Sequence, residues 1–186
     1  MRGLPCQLAL DGAGRGDHAL LRLRRALHEL RDEALDATPA CPGAHEAGQL
    51  TQYLSRLSGH VLGLYPDVDM LALPYAGRTF DLVVHSDTLE HVRRPIDGLA
   101  ECRRVLRPGG MCAFTVPIIV DRLTSSRDGM PPSYHGFADE EQFGFQVETE
   151  YGCDAWKHVA LAGFQECRIQ VLEYPAAQAL VGVRDA

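Results

Sequence analysis

The chain has 186 residues, 46% hydrophobic and 23% charged, with a net charge of -7. That length and balance fit one globular domain with a buried core. The acidic excess argues against a surface built to neutralise phosphates, which needs clustered Lys and Arg. No apolar run approaches the roughly 18–20 residues of a membrane helix, and residues 1–10 lack the apolar stretch of a secretory signal. Six cysteines (Cys6, Cys41, Cys102, Cys112, Cys153 and Cys167) are scattered without a C-x-x-C pair. No metal framework is therefore expected, and reduced thiols in a cytoplasmic protein fit best. Cys102, Cys112 and Cys167 fall in apolar periodic segments and are expected in the core.

Residues 17–31 predict an amphipathic helix, with Leu20, Leu23, Leu27 and Leu30 at helical spacing and Asp17 at its start. It completes a helical N-terminal segment, 1–31, whose Arg22, Arg24 and Arg25 form a solvated face. Residues 32–37 predict a short strand, 38–48 a Pro-, Ala- and Gly-rich loop, 49–57 a short helix, and 60–65 a second strand. The continuous apolar run of Phe80-Asp81-Leu82-Val83-Val84-His85 suits a strand buried on both faces of a parallel sheet. Pro95 can open a helix through Leu106, with Ile96, Leu99 and Leu106 inward, and Pro108-Gly109-Gly110 is expected to end it. A strand over 111–116 follows, then a long excursion over 118–145, of a length usual in functional lids. A strand over 147–151, a helix capped by Asp154 with Trp156, Val159 and Ala160 inward, and a strand in which Cys167, Ile169 and Val171 alternate complete the chain. Strands alternating with helices predict one α/β domain with a mostly parallel sheet. Ligands in such sheets bind beyond the carboxyl ends of the strands.

Residues 69–117 carry a more specific pattern. Asp69, Leu73-Pro74-Tyr75, Phe80-Asp81-Leu82, Leu89-Glu90-His91-Val92 and Leu106-Arg107-Pro108-Gly109-Gly110 occur in that order. Together they resemble the core of the small-molecule class I S-adenosylmethionine-dependent methyltransferases. The resemblance implies a Rossmann-like methyltransferase fold, with helices on both faces of a twisted, mostly parallel sheet and an antiparallel last strand. It implies S-adenosyl-L-methionine as cofactor. Asp69 would then meet the adenine amino group, a carboxylate being a natural acceptor for it, and Met70 would pack on the adenine face. Asp69 is also open to being a plain turn residue. His85 and Ser86 fall where relatives contact the cofactor, with a satisfied structural histidine as the alternative for His85. His91 is open to a structural or a substrate-facing role.

Two features depart from the family. Relatives carry a glycine-rich loop after the first strand. Asp11-Gly12-Ala13-Gly14-Arg15-Gly16 looks like one, but about forty-five residues would separate it from the second strand, against about thirty for a whole strand–helix–strand unit. Residues 36–43 resemble a divergent form, so Asp36, Thr38 and Gly43 are expected at the methionine end of the cofactor. On this reading residues 1–16 are dispensable for cofactor binding. Tyr65 stands where relatives place a ribose-binding acid, and Asp67 could still reach the ribose hydroxyls.

The cofactor would supply an activated methyl group, leaving the protein to align an acceptor. For an oxygen acceptor His135 is the expected base, its ordinary pKa being suited to proton removal near neutrality; a plain surface-loop role stays open. The expected partner is a small-molecule methyl acceptor, with no nucleic acid and no membrane; a homodimer is compatible with the sequence. A catalytically inactive binding or assembly protein on the same fold is the competing class. A nicotinamide enzyme is disfavoured because Gly12-Ala13-Gly14-Arg15-Gly16-Asp17 lacks the last glycine of its fingerprint.

Overall fold

The apolar run around Val83 forms the strand on which the sheet is built. In the computed structural model the described residues are 5–9, 54–57, 59–134, 146–172 and 177–186. The helix expected over 17–31, the strand over 32–37 and the loop over 38–48 lie outside them, as does most of the helix over 49–57. The strands are β1 (Pro5–Ala9), β2 (Val61–Leu64), β3 (Phe80–Ser86), β4 (Leu106–Thr115), β5 (Ile118–Ile119), β6 (Ser125–Ser126), β7 (Thr149–Gly152), β8 (Glu166–Leu172) and β9 (Ala177–Val183). The helices are α1 (Pro95–Val105) and α2 (Trp156–Leu161).

Six strands make one sheet in the order β2-β1-β3-β4-β9-β8, and β5, β7 and β6 make a small one. β3 and β4 are parallel, as a strand–helix–strand connection through α1 requires. β9 is antiparallel to both β4 and β8. β1 is antiparallel to β2 and β3. Hence β2, β3, β4 and β8 share one direction, and β1 and β9 oppose it. The fold is α/β and Rossmann-like with a mixed sheet and an antiparallel last strand.

Strand alternation sorts the core into two layers. Phe80, Val83, Cys112, Phe114 and Leu180 pack with Leu99, Cys102 and Val105 of α1 and with Val159 of α2. Leu82, Val84 and Met111 face the other way, against Leu54. Leu99 is fully buried and Ile96 packs against the first layer, as their spacing predicts; Leu106 is also buried, but as the first residue of β4.

Several expectations are corrected. β1 lies between β2 and β3, so residues 5–9 are an internal strand within the segment expected to be helical. Helix α1 stops at Val105, and Leu106 already pairs with Phe80, so the Pro-Gly-Gly turn lies inside β4 as an irregularity and does not end the helix. Arg184 closes α1 instead: its guanidinium donates to the carbonyls of Arg103, Arg104 and Leu106 at 2.8, 3.1 and 2.6 Å. Asp154 makes no side-chain cap on α2; its carboxylate accepts from Thr124 N–H at 2.6 Å and Lys157 at 2.9 Å. Trp156 and Ala160 face outward, and Ala155, Val159 and Ala162 take the buried side. Ile169 and Val171 are exposed on β8, an edge strand.

Candidate active site

The registers bring three strand ends to one edge. Leu64 lies opposite Pro5, His85 opposite Cys6, and Ser86 opposite Thr115. The carboxyl ends of β2, β3 and β4 are therefore level, and each is followed by polar residues. β1 runs the other way, so Ala9 sits beside Leu82 at the far end of β3. Asp11 follows only two residues after Ala9.

After β2, Tyr65 is 47% exposed and Asp67 is exposed. Asp69 starts a 3-10 turn over Met70–Ala72, and its Oδ1 accepts from Leu71 N–H at 2.8 Å. The turn is bolted to α1. Leu73 N–H donates to Glu101 at 3.1 Å, and Arg104 donates to the Leu73 and Tyr75 carbonyls at 3.0 and 2.8 Å. Arg104 also holds the Glu101 carboxyl below its ordinary pKa by hydrogen bonding. The Met70 side chain is 5% exposed and points into the core, where a Cβ on Gly98 would come within 3.1 Å of it. It fills the inner side of the turn, not the open edge. Glycine at 98 is what lets the thioether lie against the helix.

After β3 the chain makes a tight polar cluster. Ser86 Oγ donates to Asp87 Oδ2 at 2.9 Å and lies 2.7 Å from Thr115 Oγ1. Asp87 N–H donates to the Thr115 carbonyl at 3.0 Å, and Asp87 has φ +46. A non-glycine residue in the left-handed region carries strain that the surrounding bonds must hold, and such residues gather at functional sites. Sequence reasoning marked this strand end but singled out neither Asp87 nor Thr115; a hydroxyl or carboxylate directly after a buried apolar strand was the available signal. The His85 side chain turns the other way. It is 1% exposed and stacks on Phe114, with ring centroids 4.8 Å apart. Burial lowers its pKa to about 3 although the Asp87 charge opposes this, so the ring is neutral.

A second 3-10 turn, Leu89–His91, joins this edge to the excursion. Glu90 is 1% exposed, and burial raises its pKa to about 8, with the Asp87 charge adding to the rise and a hydrogen bond from its own backbone opposing it. His91 Nδ1 donates to the Gln146 carbonyl at 3.0 Å, and Glu148 N–H donates to the Glu90 carbonyl at 2.8 Å. The His91 side chain is 4% exposed, which favours the structural role for it. Behind the turn Tyr151 is buried, and its hydroxyl lies 3.2 Å from His158 Nδ1. Burial pushes the Tyr151 phenol up and the His158 imidazole down.

The described part of the excursion, 118–134, is fastened. β5 and β6 flank β7, Arg127 pairs with Glu150 and donates to the Pro131 carbonyl, and Gly152 N–H donates to Thr124. Tyr134 bridges Gln146, and Val147 N–H donates to the Ser133 carbonyl at 2.7 Å, so Tyr134 and Gln146 meet beside His91. Asp36, Thr38, Gly43 and His135 lie outside the described residues.

Comparison with known proteins adds the family. Residues 48–114 match the family described as Methyltransferase domain. A ubiquinone/menaquinone biosynthesis C-methyltransferase UbiE of Paracoccus denitrificans is 27% identical over 141 residues, 62% of this chain and 53% of that protein. The UbiE of Dinoroseobacter shibae is 29% identical over 196 residues, 92% of this chain and 71% of that protein. A malonyl-[acyl-carrier protein] O-methyltransferase of Paenibacillus is 29% identical, over 82% of this chain and 53% of its own length. The chain thus spans about half the length of two of these relatives and 71% of the third. The ordered motifs at 69–117 and the family match at 48–114 fall on one stretch, so this part of the chain is similar to the methyltransferase domain.

Proposed function

We propose that the protein transfers a methyl group from S-adenosyl-L-methionine to a small-molecule acceptor. The observation that carries this is the single edge at which the ends of β2, β3 and β4 are level and polar. The residues there fit the cofactor. Asp69 uses Oδ1 within its own turn and keeps a second carboxylate oxygen for an exocyclic amine. Ser86, Asp87 and Thr115 offer hydroxyl and carboxylate groups to a ribose or amino acid moiety. When bound, the cofactor supplies a sulfonium-activated methyl group. Asp69 and Asp67 would hold the nucleoside end, with Tyr65 beside them. Met70 would support the turn from within, and His85 would contribute its main chain beside Ser86. Asp36, Thr38 and Gly43 would serve the methionine end.

The relatives named above are C- and O-methyltransferases, which favours an enzyme over an inactive binding protein. His135 is the proposed base for an oxygen acceptor. The meeting of Tyr134 with Gln146 beside His91 supports this, because it starts the 135–145 segment next to the turn after β3. A cytoplasmic setting belongs to the same proposal; among the described residues no helix is long and apolar enough to cross a membrane.

Titration calorimetry tests the reading. Heat is expected with S-adenosylhomocysteine and none with NAD, and the reverse result overturns it. Asp69→Asn keeps an acceptor for Leu71 N–H but removes the charge, and is expected to weaken S-adenosylhomocysteine about tenfold, or about 1.4 kcal/mol. Unchanged affinity would make Asp69 a turn residue only.

A further inference from the structure

The strand–helix–strand unit brings together three side chains that the sequence scatters. His85 ends β3, Cys102 lies on α1 and Cys112 on β4. Their ligand atoms all lie within 4.8 Å of one another, and all three residues are buried. Neither cysteine is in a disulfide. Among the described residues neither ring nitrogen of His85 has a hydrogen-bond partner. An imidazole so enclosed is costly unless something accepts or donates to it.

We propose that His85, Cys102 and Cys112 form a buried site for a soft d10 divalent cation, with zinc as the fitting ion. Two sulfurs and an imidazole nitrogen are donors zinc prefers, at bonds of about 2.3 and 2.0–2.1 Å. Donors on such an ion stand about 3.5–4 Å apart, so the cluster needs only a small closure. On binding, two S–H bonds break and two protons leave to solvent, while two S–Zn bonds and one N–Zn bond form. The dication and two thiolates sum to zero charge, which suits a dry core far better than a lone ion. Because the donors are enclosed, the ion enters during folding. The site ties α1 to β3 and β4 one residue before Ser86, beneath the candidate edge and independently of whether methyl transfer occurs there.

The test uses the whole reduced chain, refolded with zinc and then dialysed. X-ray absorption at the zinc edge should show a sulfur shell at about 2.3 Å with two sulfurs and a nitrogen neighbour. A shell of oxygen and nitrogen donors alone, or no retained zinc, overturns the proposal. A variant with Cys6, Cys41, Cys153 and Cys167 all changed to Ser keeps the three proposed ligands and should keep the full sulfur signal; its loss while the variant stays folded also overturns the proposal. Refolded with cobalt in place of zinc, the chain should show thiolate charge-transfer absorption. Cys102→Ser with Cys112→Ser should abolish that band, and a band that persists in the double variant assigns the ion elsewhere.

Discussion

The β3–α1–β4 unit and the small β5–β7–β6 sheet are held by different forces. In the first, Val83, Leu99, Cys102, Val105, Leu106 and Cys112 are all fully buried, and burial of apolar surface does most of the holding. In the second, the ties are polar and long in sequence: Arg127 to Glu150, Thr124 N–H to Asp154, Gly152 N–H to Thr124. Nonpolar contacts are set by which face a residue occupies, and so by periodicity. Polar ties depend on individual partners meeting, which periodicity does not encode. The first unit supplies the level edge, and Glu148 N–H, just before β7, donates to the Glu90 carbonyl in the turn after β3.

Removing the strand between β2 and β3 should have the largest effect. Deleting residues 1–9 leaves β2 without its partner in the sheet and exposes one side of β3. The expected outcome is loss of a single cooperative transition in thermal or denaturant unfolding. A truncated chain that unfolds cooperatively at the same midpoint would show that β1 contributes nothing.

The two units should then separate in size of response. Leu99→Ala removes a fully buried side chain from between α1 and the sheet, with an expected cost of about 2–5 kcal/mol in denaturant unfolding. Gly152→Ala strikes the small sheet. A Cβ there would overlap the Arg122 carbonyl and force the 122–123 backbone away, with an expected cost of about 1–3 kcal/mol. If Gly152→Ala costs more than Leu99→Ala, the small sheet is the stronger of the two.

The same division decides what the sequence reveals. β2, β3, α1, β4 and β7 are legible because each is a periodic or continuous apolar run bounded by turn residues. α2 is legible as an element, but its inward face is not: the buried side belongs to Ala155, Val159 and Ala162, while Trp156 stays 43% exposed. β1 was missed because its place in the sheet and its direction are fixed by partners distant in sequence. At the candidate site, motif order points to Asp69, and the end of the apolar strand points to Ser86. Asp87 and Thr115 are not singled out by the sequence, since only hydrogen bonds around Ser86 and one positive φ mark them. The His85–Cys102–Cys112 cluster was invisible for a simpler reason: its members are 17 and 10 residues apart, and only the crossover through α1 makes them neighbours.

The last expected effect depends on pH and sits where the two units touch. Glu90 carries the turn after β3, and its carbonyl accepts from Glu148 N–H at the start of the segment leading to β7. Asp87, His91 and Tyr151 are the titratable groups facing it, with His91 Nε2 3.7 Å from Glu90 Oε1. Burial raises the folded pKa to about 8, against about 4.3 in an unfolded chain. Between those values the folded protein holds a proton that the unfolded chain has released, so unfolding sheds a proton and stability falls as pH rises. Below about 4.3 both states are protonated, and above about 8 both are ionised, so the dependence flattens at each end. Glu90→Gln keeps the shape and cannot ionise. Relative to the variant, the wild type should therefore lose up to about 1.4 kcal/mol per pH unit across this window. Denaturant unfolding of both proteins at pH 5, 6, 7 and 8 would measure the difference. A gap between them that stays constant with pH would mean that the Glu90 carboxyl is already ionised in the fold at neutral pH, and that the contact between the two units does not depend on a protonated Glu90.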